Sequence, residues 1–212
     1  AKDTVEFLGQ CVFAVAATSH ELARKAVALA KIEYEELTPV LTVQDALAQQ
    51  NFVRPPHTQQ RGDAEQAIAN ADHELSGTVI IGGQEHFYLE GQVSIAEPQE
   101  DGGMMIYTSS QHPTEVQKLV AEVLGVPFNQ VTVDMRRMGG GFGGKETQAA
   151  SPACLCAVIA RLTGQPTKMR LPRMEDMIMT GKRHDFVIDY DLGFDGEGRI
   201  QAVDSQFAAR CG

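Results

Sequence analysis

Residues Gln130–Gly164 read QVTVDMRRMGGGFGGKETQAASPACLCAVIARLTG, a strand pattern followed by a glycine loop and a helix pattern. Val131–Arg136 alternates as a strand does, and Ala149–Leu162 is rich in helix-forming residues. The loop between them, Gly139–Gly144, has five glycines among its six residues. Glycine adopts φ > 0 without strain and has no side chain to hold a ligand away. The pattern therefore predicts a strand, a loop and a helix arranged around an anion or a cofactor.

Composition and charge exclude several classes of protein. The chain has 212 residues, and 28 acidic against 18 basic residues give it a formal net charge of −10. An acidic chain without a basic run is a poor partner for nucleic acid. No apolar run approaches the roughly 18–20 residues of a membrane span. Four cysteines without a CxxC spacing indicate reduced thiols, so a cytoplasmic location is expected.

The first 50 residues predict a small β-α-β-α unit. Strand patterns at Val5–Ala17 and Ile32–Tyr34 alternate with helix patterns at Glu21–Lys31 and Thr42–Gln49. The second helix pattern starts on a threonine, which is a good N-cap residue. A polar stretch with a Pro-Pro pair follows and predicts a linker over about 51–71.

The rest of the chain predicts a mixed, largely antiparallel sheet with packed helices. A helix is predicted at Glu115–Leu124, and strands are predicted at Glu74–Ile81, Gly91–Ala96, Met104–Ser109, Thr167–Leu171, His184–Phe194 and Arg199–Ala208. The last two strands flank the turn Asp195–Gly198 and form a hairpin. The predicted fold class is α+β, with domains at 1–63 and 72–212.

Two phosphate-binding patterns fit the glycine loop formally. Gly139 begins both a GxGxxG match and a GxxxxGK match, which leaves open a nucleotide-binding module that uses Gly139–Lys145. However, Glu146 stands where a P-loop needs Ser or Thr, and its charge would repel phosphate. The antiparallel hairpin that is predicted further on also differs from the parallel βαβ unit of dinucleotide-binding folds.

Long motifs resemble one family. The runs IGGQEHFYLE (Ile81–Glu90) and RMGGGFGGKET (Arg137–Thr147), with the opening AKDTVEFLGQCVFAV, are similar to the molybdenum-cofactor subunit of xanthine dehydrogenases and xanthine oxidases. The resemblance implies that 1–63 is the later part of the hammerhead domain. It also implies that 72–212 is the first part of the molybdenum-binding domain, so the chain resembles a segment of a longer protein.

The resemblance assigns roles to five residues. Gln111 hydrogen-bonds an oxo ligand of molybdenum, and Phe142 lies against cofactor and substrate, neither being a metal ligand. The backbone at Gly141 and Gly143 approaches the cofactor, and Glu146 contacts a purine. A structural role remains open for each of the three side chains. In that alternative, Gln111 simply occupies a turn, Phe142 packs into the core, and Glu146 stabilises a helix N-terminus through the helix dipole.

The activity implied by the resemblance is the oxidation of hypoxanthine and xanthine to urate with oxygen derived from water. The cofactor is molybdenum–molybdopterin, while [2Fe–2S] clusters and FAD belong to other domains or subunits, and NAD accepts the electrons. Aldehyde oxidases are similar but carry an apolar residue in place of Glu146, so an aldehyde oxidase or another N-heterocycle hydroxylase is the alternative. The family's catalytic glutamate has no counterpart in this chain. We therefore expect no catalytic residue here, and neither cofactor retention nor turnover by the isolated chain.

His86 lies inside the motif QEHFYLE, between two acids, Glu85 and Glu90. A histidine in such a position can ligate a metal or act as a base. The spacing of its acidic neighbours does not define an acid/base pair. We expect His86 to be a structural residue whose ring nitrogens are satisfied by hydrogen bonds.

Overall fold

The computed structural model describes residues 3–211, which form six α-helices and seven β-strands. In chain order they are α1 (His20–Val27), α2 (Val43–Ala48), α3 (Ala64–Ala69), β1 (His73–Ile81), β2 (Val93–Pro98), β3 (Met104–Thr108), α4 (Pro113–Leu124), β4 (Val131–Asp134), α5 (Ala150–Thr163), β5 (Thr167–Arg170), α6 (Arg173–Met179), β6 (Phe186–Phe194) and β7 (Ile200–Ala209). Two compact units divide these elements. The first comprises residues up to Glu33 together with Glu85–Lys182, and the second comprises Tyr34–Gln84 together with residues from Arg183 onward.

The first unit is built on a four-stranded sheet in the order β4-β3-β2-β5. β3 is parallel to β4, whereas β2 is antiparallel to both β3 and β5. Side chains on β3 alternate between buried and partly buried positions, as expected when helices cover one face of a sheet. α4 and α5 pack on the buried face, and the core includes Ile106, Val120 and Ala157. β4, the glycine loop and α5 confirm the predicted strand, loop and helix.

The second unit contains a three-stranded antiparallel sheet in the order β1-β6-β7. β1 pairs with β6 from His73 opposite Phe194 to Ile81 opposite Phe186. β6 and β7 form the predicted hairpin, and α3 packs against them. The α+β class and the largely antiparallel sheets are therefore confirmed.

The prediction of strands in the first 50 residues is wrong in detail. The two predicted helices form as α1 and α2, and the Thr42 hydroxyl caps α2 by accepting from the Asp45 N–H at 3.0 Å. The segments 5–17 and 32–34, however, form no strand in the described part of the chain. A strand needs a neighbouring strand to receive its backbone hydrogen bonds, and neither segment has one there. Their apolar side chains are correspondingly exposed, Leu8 to 85%.

The predicted domain boundaries at 1–63 and 72–212 stay a prediction. No α-helix among residues 3–211 is long and apolar enough to cross a membrane.

Candidate functional site

The glycine loop joins β4 to α5 within the first unit, and its backbone takes conformations that few residues tolerate. Gly143 has φ = +93°, in a region where glycine is favoured because it has no Cβ. At Gly141 the constraint is space: an added Cβ would lie 2.5 Å from Oε1 of Gln111. Glycine at these two positions thus allows the loop to lie directly against Gln111.

Gln111, in the loop after β3, is fixed by three hydrogen bonds to the glycine loop. Its side-chain oxygen Oε1 accepts from the backbone N–H groups of Gly143 at 2.9 Å and Lys145 at 3.2 Å. Its own backbone N–H donates to the Lys145 carbonyl at 2.8 Å. Since the oxygen faces two donors, the NH₂ group points away from them. Within residues 3–211 no acceptor binds Nε2, so the amide has donors to offer to a ligand.

Phe142 lies at the tip of the loop with its side chain 75% exposed. Its φ of +53° is unusual for a bulky non-glycine residue. Such outliers cost free energy and cluster at functional sites. The exposure shows that the alternative of a plug into the core is wrong, and the ring is available for a contact outside this chain.

Glu146 follows the loop and is exposed. α5 begins only at Ala150, and its first turn contains no acid. The alternative of an acid placed to interact with the helix dipole is therefore wrong, because that effect fades beyond the first turn. Glu146 makes no hydrogen bond or ion pair with the residues that the structure describes, so its carboxylate is open to a ligand.

Lys145 lies on the other side of the loop, and the sequence had indicated it only as part of a phosphate pattern. Its side chain is completely buried. Nζ lies 2.7 Å from Oγ of Ser109 and 3.2 Å from Oε2 of Glu90. Burial lowers the pKa of Lys145, and the pair with Glu90 partly offsets that effect. Because the ammonium group is turned inward, it cannot bind an external phosphate, and this argues against the nucleotide-binding alternative.

A second buried network lies next to Lys145. The Tyr88 hydroxyl donates to Asp176 at 2.6 Å, and the backbone N–H of Gln92 donates to the other oxygen of the same carboxylate at 2.7 Å. The Gln92 side chain bridges the Tyr88 hydroxyl and the carbonyl of Gly144. Burial, and then the bond to Asp176, raise the pKa of Tyr88 to about 12. Sequence reasoning missed this network, because Asp176 is 88 residues from Tyr88.

His86 differs from the prediction. Its ring lies so close to Gly144 that an added Cβ there would be 2.8 Å from Cγ. Nδ1 of His86 is buried and has no hydrogen-bond partner in the described part of the chain. The expected satisfied histidine is therefore not observed. A buried ring nitrogen without a partner needs an explanation, such as a group that is bound there.

Comparison with known proteins identifies the family. A model of the molybdopterin cofactor-binding domain matches residues 44–212, and a model of the aldehyde oxidase and xanthine dehydrogenase a/b hammerhead domain matches residues 1–38. The chain belongs to the molybdopterin cofactor-binding domain family. This confirms the resemblance found in the motifs.

Relatives of this molybdopterin-binding domain include two kinds of enzyme. The chain is 41% identical over 213 residues to a xanthine dehydrogenase/oxidase of Gallus gallus, covering 100% of this chain and 16% of that protein. It is 43% identical over 208 residues to an aldehyde oxidase 2 of Cavia porcellus, covering 97% of this chain and 16% of that protein. The chain thus spans about 16% of the length of these relatives, and overall identity does not separate the two substrate classes.

Solved structures agree with the fold. The aldehyde oxidoreductase of Desulfovibrio gigas matches with a TM-score of 0.79 and 26% identity, over 91% of this chain and 22% of that chain. The quinoline 2-oxidoreductase of Pseudomonas putida 86 matches with a TM-score of 0.73 and 24% identity, over 90% of this chain and 25% of that chain. The second likeness shows the fold alone.

The residues of the molybdopterin-binding domain fit the cofactor that the family name implies. Within residues 3–211, Gln111 has amide donors without a protein acceptor, and Nδ1 of His86 is buried without a partner. No group of three or more His, Cys, Asp or Glu side chains within residues 3–211 is placed to hold a metal ion. The amide donors of Gln111 therefore suit a cofactor that accepts hydrogen bonds from the protein.

Proposed function

We propose that this chain forms one side of the molybdenum site in a molybdenum hydroxylase that oxidises purines, converting hypoxanthine and xanthine to urate. The observation that carries the proposal is the arrangement of Phe142 and Glu146. Both are exposed, Phe142 at the tip of the loop that Gln111 contacts and Glu146 just after that loop, and Glu146 has no protein partner among the described residues.

Gln111 and the glycine loop would hold the cofactor. The amide of Gln111 donates hydrogen bonds from Nε2 without bringing a charge or titrating. Gly141 and Gly143 allow the backbone to approach the cofactor closely. In this proposal Gln111 and Phe142 lie near molybdenum without ligating it. When bound, the cofactor supplies the oxidation of a carbon atom with oxygen taken from water.

Phe142 and Glu146 would bind the substrate. The exposed ring of Phe142 offers a flat face on which an aromatic heterocycle stacks. The carboxylate of Glu146 accepts a hydrogen bond from a ring N–H of a purine. An aldehyde has no such N–H group, so Glu146 distinguishes the two substrate classes.

The remaining steps belong to other parts of the whole protein. We place the catalytic base, the [2Fe–2S] clusters and FAD outside these residues, with NAD as the electron acceptor and the cytoplasm as the location. The isolated 212-residue chain is expected neither to retain molybdopterin nor to turn over. Stoichiometric molybdopterin binding by the isolated chain, measured by titration, would contradict that expectation.

The second candidate function is the oxidation of aldehydes or of other N-heterocycles. The 43% identity to an aldehyde oxidase favours it as much as the 41% identity to a xanthine dehydrogenase/oxidase favours purines. The two candidates differ in what they require of Glu146.

The test compares Glu146→Val with the unaltered full-length protein, loaded with cofactor, on xanthine and on an aromatic aldehyde. A lost hydrogen bond to a charged group costs about 1.5–3 kcal/mol, so kcat/KM for xanthine should fall about 10- to 100-fold. Aldehyde turnover should not fall. Glu100→Val changes another exposed acid in the same unit and serves as the control. Purine turnover that survives Glu146→Val unaltered would rule out this contact, and a protein that oxidises only aldehydes would establish the second candidate.

A further inference from the structure

Three polar side chains form a cluster beside the glycine loop: Lys145 and Ser109, which are buried, and Glu90, whose side chain is 38% exposed. Lys145 is fully buried, and its Nζ lies 2.7 Å from Ser109 Oγ and 3.2 Å from Glu90 Oε2. The Ser109 hydroxyl donates to the same carboxylate oxygen. The ammonium also lies 4.7 Å from the centre of the Tyr88 ring. A carboxylate, a hydroxyl and an aromatic face thus surround the ammonium group.

Glu90 connects this cluster to the beginning of the loop. Its Oε2 accepts a further hydrogen bond of 2.8 Å from the backbone N–H of Gly139. One carboxylate oxygen therefore receives donors from Gly139, where the loop starts, and from Lys145, where it ends. It also receives one from Ser109, directly after β3. Hydrogen bonds from both ends of the glycine loop therefore converge on one atom, Oε2 of Glu90.

Lys145 connects the cluster to Gln111 through its backbone. The Lys145 N–H donates to Gln111 Oε1 at 3.2 Å, and the Lys145 carbonyl accepts from the Gln111 N–H at 2.8 Å. The same carbonyl accepts from the Ser110 hydroxyl at 3.2 Å. The side chain of Lys145 is therefore anchored inside while its backbone sets the position of the Gln111 main chain and amide.

Stability alone is a weak reason to bury the ammonium group of Lys145 against a partly exposed carboxylate. Removing an ammonium from water is costly, and an apolar residue of similar size in place of a buried ion pair is often neutral or stabilising. An apolar side chain would fill the space of Lys145 but could not donate hydrogen bonds to Glu90 and Ser109. What the ion pair adds is a defined geometry for the loop.

We propose that the Glu90–Ser109–Lys145 cluster positions the amide of Gln111 by fixing both ends of the glycine loop. Lys145 and Glu90 are then positioning residues that act through Gln111. The inference rests on the proposed function only in that the oriented amide faces the cofactor, and it holds for purine and aldehyde substrates alike.

The first test measures amide hydrogen exchange in the full-length protein without cofactor. Lys145→Met should raise the exchange rate of the peptide 139–148 about tenfold or more, because the loop opens more readily, while peptides of α4 and α5 keep their protection. Ser109→Ala removes only the hydroxyl and should raise the same rate less; it also provides the measurement if Lys145→Met does not fold. Lys118→Met changes an exposed lysine on α4 and should leave the loop unchanged. Unchanged loop exchange in both cluster variants would overturn the inference.

The second test is a double-mutant cycle in the cofactor-loaded protein. If Lys145 acts through Gln111, Lys145→Met and Gln111→Met should each lower kcat about tenfold, and the double variant should fall about tenfold instead of a hundredfold. Effects that multiply would show that Lys145 does not act through Gln111. Because the exchange experiment needs no turnover, the inference stands or falls separately from the proposed substrate. A responsive loop in a protein that does not oxidise purines would disprove only the proposed function.

Discussion

Gly143 donates its backbone N–H to the side-chain oxygen of Gln111 over 2.9 Å, although the two residues are 32 positions apart. Lys145 donates to the same oxygen. These two bonds join the loop after β3 to the glycine loop, and they orient the Gln111 amide with its NH₂ group outward. A substitution that moves the glycine loop should therefore also move the side-chain amide of Gln111.

Gly141→Ala tests the close approach of the loop to Gln111. The added Cβ would lie 2.5 Å from Oε1, which is closer than atoms can pack, so the loop or the amide has to move. We expect a loss of about 1–3 kcal/mol in the free energy of unfolding, measured by chemical denaturation of this chain. Gly82→Ala is the control, because an added Cβ there meets nothing within 4 Å. Equal stability of the two variants would show that Gly141 does not restrict the loop.

Phe142→Gly and Phe142→Ala separate backbone strain from the role of the ring. Both variants remove a side chain that is 75% exposed, so neither loses much buried area. At φ = +53° glycine avoids the Cβ strain that alanine keeps. The free energy of unfolding of Phe142→Gly, measured by chemical denaturation, should therefore exceed that of Phe142→Ala by about 1 kcal/mol.

The same pair of changes at Phe128 provides the control for this comparison. Phe128 is 46% exposed and begins a short 3₁₀ turn. Alanine should be the more stable variant there, because glycine loses more conformational freedom on folding. The same order of stability at both positions would exclude strain at Phe142.

Acid should weaken the cluster around Glu90. Burial alone would raise the pKa of Glu90, but hydrogen bonds from Ser109, the Gly139 N–H and Lys145 outweigh it and hold the pKa below its usual value. A depressed folded-state pKa adds stability above the unfolded-state value of about 4.3, and that stability is lost as the pH falls through the folded-state pKa.

The measurement is the unfolding temperature of this chain as the pH is lowered below about 4.3. The temperature should fall for the natural sequence, and Glu90→Gln should reduce the slope. Glu100→Gln, an exposed acid, is the control and should keep the slope. A slope that does not change in Glu90→Gln would contradict the depressed pKa.

Alkali should weaken the bond between Tyr88 and Asp176. Burial and this bond raise the pKa of Tyr88 to about 12. The folded-state pKa lies above the ordinary value of about 10, so the stability that Tyr88 contributes is complete below pH 10 and is lost as the pH rises through about 12. An ultraviolet titration should show one tyrosine that ionises late, and Tyr88→Phe should remove it. If the late ionisation persists in Tyr88→Phe, the assignment is wrong.

Much of the site could be predicted from the sequence, because its signals are local. Alternation at Val131–Arg136, the run of glycines and the helix formers that follow are properties of neighbouring residues, and the structure confirms that order. The long motifs identified the family in the same way. Phe142 and Glu146 could be named because they lie inside one of those motifs, and Gln111 could be named from the family resemblance; the roles of all three stay predictions.

Local signals predicted strands in the first 50 residues that do not form in the described part of the chain. Val5–Ala17 has the composition of a strand, but a strand exists only when another one accepts its hydrogen bonds. Composition reports the preference of a segment and not the presence of a partner.

The sequence alone therefore determined the family, the strand–loop–helix order and the residues that border the glycine loop. The tertiary structure decided which way the side chains point. Lys145, which the sequence indicated only as part of a formal phosphate pattern, turns inward, where Glu90, 55 residues earlier, and Ser109 accept its N–H donors. The amide of Gln111 turns its NH₂ group outward because two backbone donors from the loop occupy its oxygen. Such contacts join distant parts of the chain, so they follow from the packed fold and not from neighbouring residues.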